Sequence, residues 1–123
     1  MKTAKQICND ALSLLGYTDR IGAADDENFS PHWRAALNIC NLVITEIQRR
    51  EGREYKRITA LSEIPDISER SINEVMPYGV AMHMSLIDND YTMHEHFTEL
   101  YSNKLGLPKK PGKTVTLKYK PTE

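Results

Sequence analysis

The chain has 123 residues, of which 40% are hydrophobic and 27% charged, and this predicts one globular domain with a modest core. The net charge of −1 is unevenly spread: residues 1–103 hold 10 Lys and Arg against 16 Asp and Glu, whereas residues 104–123 hold six Lys against Glu123. No apolar run is long enough to span a membrane and no segment resembles a secretory signal, so we expect a cytosolic protein without a membrane span.

The first predicted helix covers residues 4–15. Thr3 and Gln6 form a capping box, in which the Thr3 hydroxyl accepts from the Gln6 amide and the Gln6 side chain accepts from the Thr3 amide. Gly16 can then adopt the left-handed conformation that ends a helix, and an acidic loop follows over 17–29. One face of this helix carries the apolar residues Ile7, Ala11, Leu14 and Leu15.

The second predicted helix, 31–51, has the clearest start signal, because Ser30 suits an N-cap and Pro31 the first helical position. Arg49 and Arg50 fall in its last turn, where cations suit the helix dipole, and Gly52 follows. An apolar stripe with spacings of four, three, four and three residues predicts its core positions, which are Trp33, Leu37, Cys40, Ile44 and Ile47.

The two cysteines, Cys8 and Cys40, lie within the apolar patterns of these two helices. Cysteine often behaves as a small buried hydrophobic residue, so we expect both to be reduced core thiols. No CxxC or HxxxH spacing occurs, and the sequence therefore predicts no zinc site and no cofactor.

Residues 55–65 break the helical period and predict an extended arm that Pro65 ends. On an extended backbone, Ile58, Ala60, Ser62 and Ile64 would fall on one side. A lone strand buries little surface, so this arm either pairs with the C-terminal tail or lies on a neighbouring subunit. The candidate residues for such an inter-subunit arm are Tyr55, Ile58, Ala60, Leu61 and Ile64.

A third helix is predicted to open at a second capping box, Ser71 to Glu74. Pro77 lies inside it and predicts a kink or a restart, since proline removes one backbone hydrogen bond and clashes with the preceding turn. Gly79 and Ala81 are small packing positions. We assign two residues of this helix to the core, Val80 and Met84.

A final helix is predicted after a turn at residues 88–90, with a third capping box at Thr92 to Glu95 as its start. Gly106 and Pro108 end it, and Lys104 lies in its last turn. Its predicted core positions are Phe97, Leu100 and Tyr101.

The C-terminal tail, residues 106–123, is basic and begins with a linker rich in proline, glycine and lysine. Residues 114–120 then predict a short amphipathic strand with Val115, Leu117 and Tyr119 on one face and Thr116, Lys118 and Lys120 on the other. The strand either adds to the sheet edge of a partner or pairs with residues 55–64 of the same chain. The charge fits either a solvated tail or an arm that docks on an acidic surface.

Neither the histidines nor the basic cluster predicts a catalytic site or a DNA-binding site. His94 and His96 are two residues apart and point away from each other on a helix, so they cannot chelate one ion. No nucleophile motif or phosphate-binding loop occurs, and we expect no enzyme. Glutamates interleave with the basic residues near the end of the second helix, which favours a solvent-exposed face over a phosphate site: Arg49, Arg50, Arg53, Lys56 and Arg57.

Three segments together resemble the small head–tail connector proteins of tailed bacteriophages, also called adaptor or head-completion proteins. They are the opening TAKQICNDALSLLGYTD, the middle helix ALNICNLVITEIQRR with its arm ITALSEIPD, and the closing INEVMPYGVAMHMSLIDNDYTMHEHFTELYSNKL. In the last of these, a Pro-Tyr-Gly phrase leads into a helix, an acidic turn and a helix with Phe97 and Tyr101 four residues apart. The resemblance spans residues 3–105 and concerns packing positions, not chemistry.

The resemblance implies a mainly α fold, a small antiparallel bundle of about four helices at 3–105 with an extended arm, followed by the tail at 106–123. It implies a structural virion protein at the neck, which resides in the host cytoplasm before assembly. Such proteins form a ring under the portal, with twelve copies where they take its symmetry, and connect the DNA-filled head to the next neck or tail protein. DNA would pass through this ring without sequence-specific binding.

For the tail, the resemblance implies docking on the portal through Thr114, Val115, Leu117, Lys118, Tyr119 and Lys120. For the arm, it implies a clasp on the adjacent subunit. The competing interpretation is a small helical regulatory module whose tail binds an acidic protein or nucleic acid.

Overall fold

The computed structural model describes residues 1–17 and 30–106, and this part of the chain is mainly helical, as predicted. Five α-helices follow in order: α1 (Ala4–Leu12), α2 (Ser30–Glu51), α3 (Glu69–Glu74), α4 (Met76–Ile87) and α5 (Tyr91–Leu105). No strand occurs among the described residues, and the predicted strand at 114–120 lies outside them. Within residues 1–17 and 30–106, no helix has both the length and the apolar character needed to cross a membrane.

Helix α1 begins at the predicted capping box. The Gln6 amide donates to the Thr3 hydroxyl and the Thr3 amide donates to the Gln6 side chain. The α-helix ends three residues earlier than predicted, at Leu12, and the chain continues through a wide π-helical turn, Ser13–Tyr17, in which Gly16 has a φ of 98°. A left-handed glycine therefore ends this element as expected.

Helix α2 is the longest helix, and its start differs from the predicted one by a single residue. Its buried face includes three of the predicted core positions, Cys40, Ile44 and Ile47, whereas Trp33 and Leu37 are only partly buried. Arg49 and Arg50 lie in the last turn.

The predicted third helix is two helices, and the predicted capping box at Ser71 is wrong. Ser68 caps α3 by accepting from the Ser71 amide, while the Ser71 hydroxyl turns to the Glu51 carboxylate. The expected restart at Pro77 is present, because α4 begins at Met76 and places the proline in its first turn, where no backbone hydrogen bond is lost.

The predicted capping box at Thr92 is also wrong, since Thr92 lies inside α5. The carboxylate of Asp90 accepts from the Met93 amide at 3.1 Å and caps the helix instead. The turn at residues 88–90 is present, and Asn89 takes its left-handed position with a φ of 56°. An aspartate at the end of a tight turn competes effectively with a threonine two residues later.

Helix α4 lies at the centre of the fold and packs against α1, α2, α3 and α5. Gly79 allows the closest approach, because a Cβ atom there would lie 2.7 Å from Cε1 of Tyr101 and 2.9 Å from Cγ1 of Val43. The predicted core residues Ile7, Val80, Met84, Phe97 and Tyr101 are buried, and Leu14, Leu15 and Leu100 pack partly buried against the same core.

The two cysteines meet inside this core. Cys8 of α1 and Cys40 of α2 are both fully buried, with their sulfur atoms 3.4 Å apart and no disulfide between them. The hydrogen bond between the thiols, together with burial, raises the pKa of Cys8 above its ordinary value. The pair acts as packing between two helices, as the sequence pattern predicted.

Candidate interaction surface

Residues 53–68, called here the arm, connect α2 to α3 without helical structure and are held to α2 by two side-chain amides. Asn41 donates to the carbonyl of Ile58 at 3.0 Å and accepts from its amide at 2.9 Å. Gln48 donates to the carbonyls of Lys56 and Asp66 and accepts from the Lys56 amide at 3.0 Å. The two buried amides thus provide the backbone pairing that a neighbouring strand would otherwise supply.

The far part of the arm closes onto the first turn of α1. The amides of Ala4 and Lys5 donate to the carbonyls of Glu63 and Leu61, both at 2.9 Å. These amides are among the donors that a helix N-terminus leaves unpaired. The arm therefore accepts the free amide hydrogens of α1, and side chains of α2 pair with the backbone of the arm. The three segments form one hydrogen-bonded unit.

A carboxylate fixes the turn within the arm. Glu63 accepts from the amide and hydroxyl of Thr59 and from the amide of Ala60, at distances of 2.6–3.1 Å. These bonds, those from Thr59 above all, hold the pKa of Glu63 below its ordinary value. The turn interrupts the extended backbone that the sequence pattern predicted.

The five residues assigned to an inter-subunit arm separate into two groups. Ile58 is buried against its own subunit, and Leu61 is partly buried against the core. Tyr55 is 63% exposed, Ile64 is 49% exposed, and Ala60 also faces solvent. The expectation that Ile58 and Ile64 share one face is wrong, because a turn at residues 60–63 lies between them and leaves Ile58 buried and Ile64 exposed.

Glu51, the last residue of α2, joins the arm to α3. It accepts from the amide and hydroxyl of Ser68, from the hydroxyl of Ser71 and from Arg53 Nε at 2.7 Å. Partial burial alone would raise the pKa of Glu51, but the hydrogen bonds from Ser71, Ser68 and Arg53 outweigh it and lower the pKa to about 2. The carboxylate is therefore charged at neutral pH and holds three elements together.

A second surface is the side of α2 that faces away from the core, here called the α2 outer face: Arg34, Asn38, Leu42, Thr45 and Arg49. Leu42 at its centre is 60% exposed. The arm borders it, because Arg49 donates to the Tyr55 hydroxyl and Arg57 lines a shallow depression of about 320 Å³ together with Leu42. Exposed leucine and tyrosine beside arginines are the composition of a protein-binding surface.

The histidines form no metal centre in the described part of the chain, where no cluster of three potential ligands occurs. His94 Nδ1 lies 2.9 Å from the carbonyl of Met82, which links α5 to α4, and His96 makes an edge contact with Phe97. Burial and the proximity of His94 lower the pKa of His83, against the opposing effect of Glu46. These contacts belong to helix packing.

Two further polar contacts tie the helices together. Tyr101 donates to Glu46 at 2.8 Å, and burial together with this hydrogen bond raises the pKa of Tyr101. Nε2 of the buried His32 lies 3.0 Å from the Asp88 carboxylate, which joins the start of α2 to the turn between α4 and α5. Both contacts hold helices in place and neither forms part of a recognisable catalytic arrangement.

Sequence periodicity did not reveal Asn41, Gln48 or Glu51, which organise the arm. A polar residue at an otherwise buried helical position is the signal that could have identified Asn41 and Gln48. The six residues assigned to portal docking, at positions 114–120, lie outside the described residues. Comparison of the chain with protein families, with curated proteins and with solved structures gives no match.

Proposed function

We propose that this chain is a structural protein of a tailed-bacteriophage virion, which forms a ring beneath the portal and connects the DNA-filled head to the neck or tail. The sequence resemblance over residues 3–105 is the origin of this proposal. The arm is the structural observation that supports it most: its backbone is fixed by Asn41 and Gln48, while Tyr55 and Ile64 remain exposed. A rigid backbone that presents apolar side chains is suited to assembly.

The arrangement of the arm implies a different contact between ring subunits from the extended clasp that the sequence resemblance implied. Ile58 is buried within its own subunit, and the backbone of the arm is hydrogen-bonded to α1 and α2. The arm therefore does not extend as a free strand. It contributes to a neighbouring subunit through exposed side chains, chiefly Tyr55 and Ile64. Each copy would then bury more apolar surface against two neighbours than its own small core provides.

The tail is assigned the portal contact. Val115, Leu117 and Tyr119 would add to an edge of the portal, and Lys118 and Lys120 would face acidic or solvated surface. Thr114 would begin this contact. DNA would pass through the ring without sequence-specific binding, because acidic walls repel phosphate.

The test is electron microscopy and mass measurement of the chain mixed with its candidate portal, with and without residues 108–123. We expect an added ring with the full chain only. Replacement of Val115, Leu117 and Tyr119 by serine should abolish the ring, while the matched control Thr116→Ser with Lys118→Gln and Lys120→Gln should weaken it less.

Binding of both the full and the shortened chain would keep the adaptor function and remove the tail from the portal contact. A chain that binds no portal and stays monomeric would contradict the adaptor function itself.

The α2 outer face favours one alternative function, a small helical module that binds nucleic acid or an acidic protein. Arg34 and Arg49 are exposed on this face and Arg57 borders it. Such a module should bind duplex DNA with an affinity that falls steeply as salt rises. A duplex affinity that does not depend on salt, or no duplex binding at all, would dismiss nucleic acid as the partner.

A further inference from the structure

Two faces of this chain carry opposite charge, and each has an exposed apolar residue. The first is the α2 outer face, which has Leu42 at its centre and contains no carboxylate among its five positions. Within the described residues, Arg34 and Arg57 make no ion pair, and Arg49 donates a hydrogen bond to the Tyr55 hydroxyl. Glu46 acts electrostatically on Arg49, and among the described residues no carboxylate forms an ion pair with any of the three arginines.

The second is the side of α5 that faces away from α4, here called the α5 outer face: Tyr91, Glu95, Thr98, Glu99 and Ser102. Tyr91 is 66% exposed, and Glu95 and Glu99 are exposed and make no ion pair within the described residues. A shallow depression of about 670 Å³ runs along this face, with Glu95, Glu99 and Ser102 in its lining. His94 and His96 also line it, and it contains no lysine or arginine.

We propose that the α2 outer face of one copy of this chain binds the α5 outer face of a second copy. The proposal rests on the ring function above and names two surfaces that would join successive subunits in addition to Tyr55 and Ile64 of the arm. Because the two faces differ, the contact is head-to-tail, and this type of contact produces rings or filaments instead of closed dimers.

The spacing of the groups on the two helices agrees with this pairing. With a rise of about 1.5 Å per residue, Leu42 and Arg49 are about 10 Å apart along α2, and Tyr91 and Glu99 are about 12 Å apart along α5. An apolar contact between Leu42 and Tyr91 is thus compatible with an ion pair between Arg49 and Glu99. Arg57 lies beside Asn38, Leu42 and Thr45, so it would add positive charge near the Leu42 contact.

A second copy explains this surface better than nucleic acid does. A phosphate backbone would use the arginines but not the exposed leucine between them, and it would leave the acidic α5 face unexplained. Opposite charges across an interface set the orientation and exclude wrong partners. The chain carries both halves of such an interface.

The experiment uses two charge-reversed forms of the full chain, Arg34→Glu with Arg49→Glu and Glu95→Arg with Glu99→Arg. Sedimentation velocity and native mass spectrometry would measure their association at low salt. Each form alone presents like charges on both faces, so we expect association about tenfold to a hundredfold weaker than in the original chain.

Mixing the two forms should restore association, because each reversed face then meets a face of opposite charge. The products should contain the two forms in alternation, with equal numbers of each in any closed ring. The form with all four reversals should associate by itself. A matched control for the glutamate-reversed form, Glu54→Arg with Glu74→Arg, raises the net charge by the same amount outside both faces and should associate as well as the original chain.

Three results would overturn this interface: an original chain that stays monomeric at about 1 mM, the weak end of specific affinities; reversed forms that associate normally; or a mixture that does not recover. Loss of duplex binding in the arginine-reversed form, without any association of copies, would assign the α2 face to nucleic acid and also overturn it.

Portal binding, measured in parallel, separates this proposal from the adaptor function. Portal rings that form equally with every charge-reversed form would retain the adaptor and reject this interface. Copies that associate with recovery on mixing, but never bind a portal, would retain the interface and reject the adaptor.

Discussion

The closing helices and the arm are stabilised in different ways. Helices α4 and α5 pack through apolar side chains, with Val80, Met84 and Phe97 buried between them and their neighbours. The arm buries fewer apolar side chains, Ile58, Pro65 and Ile67, and its backbone is held by hydrogen bonds with Asn41, Gln48 and Glu51. The first region depends on shape and volume, and the second on a few directional contacts.

This difference determines what each region can do in an assembly. Side chains that pack in the core are buried, so few side chains of α4 are exposed to contact a partner. In the arm, side chains of α2 form hydrogen bonds with backbone groups, and the side chains of Tyr55 and Ile64 stay exposed. A segment fixed through its backbone keeps its side chains for binding and loses little conformational entropy when a partner arrives.

The largest expected effect comes from a cavity in the apolar region. Met84→Ala should lower the free energy of unfolding by about 2–5 kcal/mol, because Met84 is fully buried at the centre of the fold. The matched control on the same helix is Leu86→Ala, since Leu86 is 41% exposed and should cost less than about 1 kcal/mol. Urea denaturation followed by circular dichroism measures both, and equal losses would contradict the assigned core.

The next largest effect concerns the hydrogen bonds of Glu51, which make the stability of the fold depend on pH. Glu51 has a pKa lowered from 4.5 to about 2, so its charged form stabilises the fold above pH 4.5 and this contribution disappears as the pH falls towards 2. Glu51→Gln should therefore cost about 2–3 kcal/mol at pH 7 and flatten the loss of stability between pH 4.5 and 2.

Glu54→Gln is the control for Glu51, because Glu54 is exposed in the arm and makes no ion pair within the described residues. It should leave both the stability at pH 7 and the acid profile nearly unchanged. An unaltered acid profile in the Glu51 variant would show that the carboxylate does not hold α2, the arm and α3 together.

The smallest expected loss of stability comes from a change that should loosen the backbone of the arm and leave the helices unchanged. Asn41→Ala removes both hydrogen bonds to Ile58 and should cost about 1–3 kcal/mol, because a buried amide and carbonyl lose their partner. Hydrogen exchange should become faster at Ile58 and remain unchanged in α4. Asn38→Ala, one turn earlier and exposed, should change neither quantity, and faster exchange throughout the chain would argue against a local role for Asn41.

Periodicity predicted most of the helical region. The capping box at Thr3, the stripe through Cys40, Ile44 and Ile47, and the restart at Pro77 are present because each depends on residues close together in sequence. The capping boxes at Ser71 and Thr92 failed because Ser68 and Asp90, a few residues earlier, cap the helices instead. Local signals compete, and tertiary contacts such as that between Ser71 and Glu51 decide between them.

The arm could be located from the sequence but its path could not. Alternation of Ile58, Ala60, Ser62 and Ile64 predicted an extended backbone, whereas the Glu63 carboxylate forms a turn between the first and last of them. The partners that fix it, Asn41 and Gln48, lie on another element, and a sequence pattern does not show such distant pairing. Exposed faces on α2 and α5 were likewise invisible until the buried sides of both helices were known.

One hydrogen bond fixes where the remaining chain departs. Arg50 holds the carbonyl of Gly106 at 2.7 Å, next to the end of α2 where the arm begins. In a closed ring every copy has the same orientation, so all of these departure points would lie at one height along the ring axis. Each would be followed by residues 107–123, which hold five lysines and one glutamate. The positive charges of all copies would then leave the ring at a single level, where together they would attract an acidic partner from a distance.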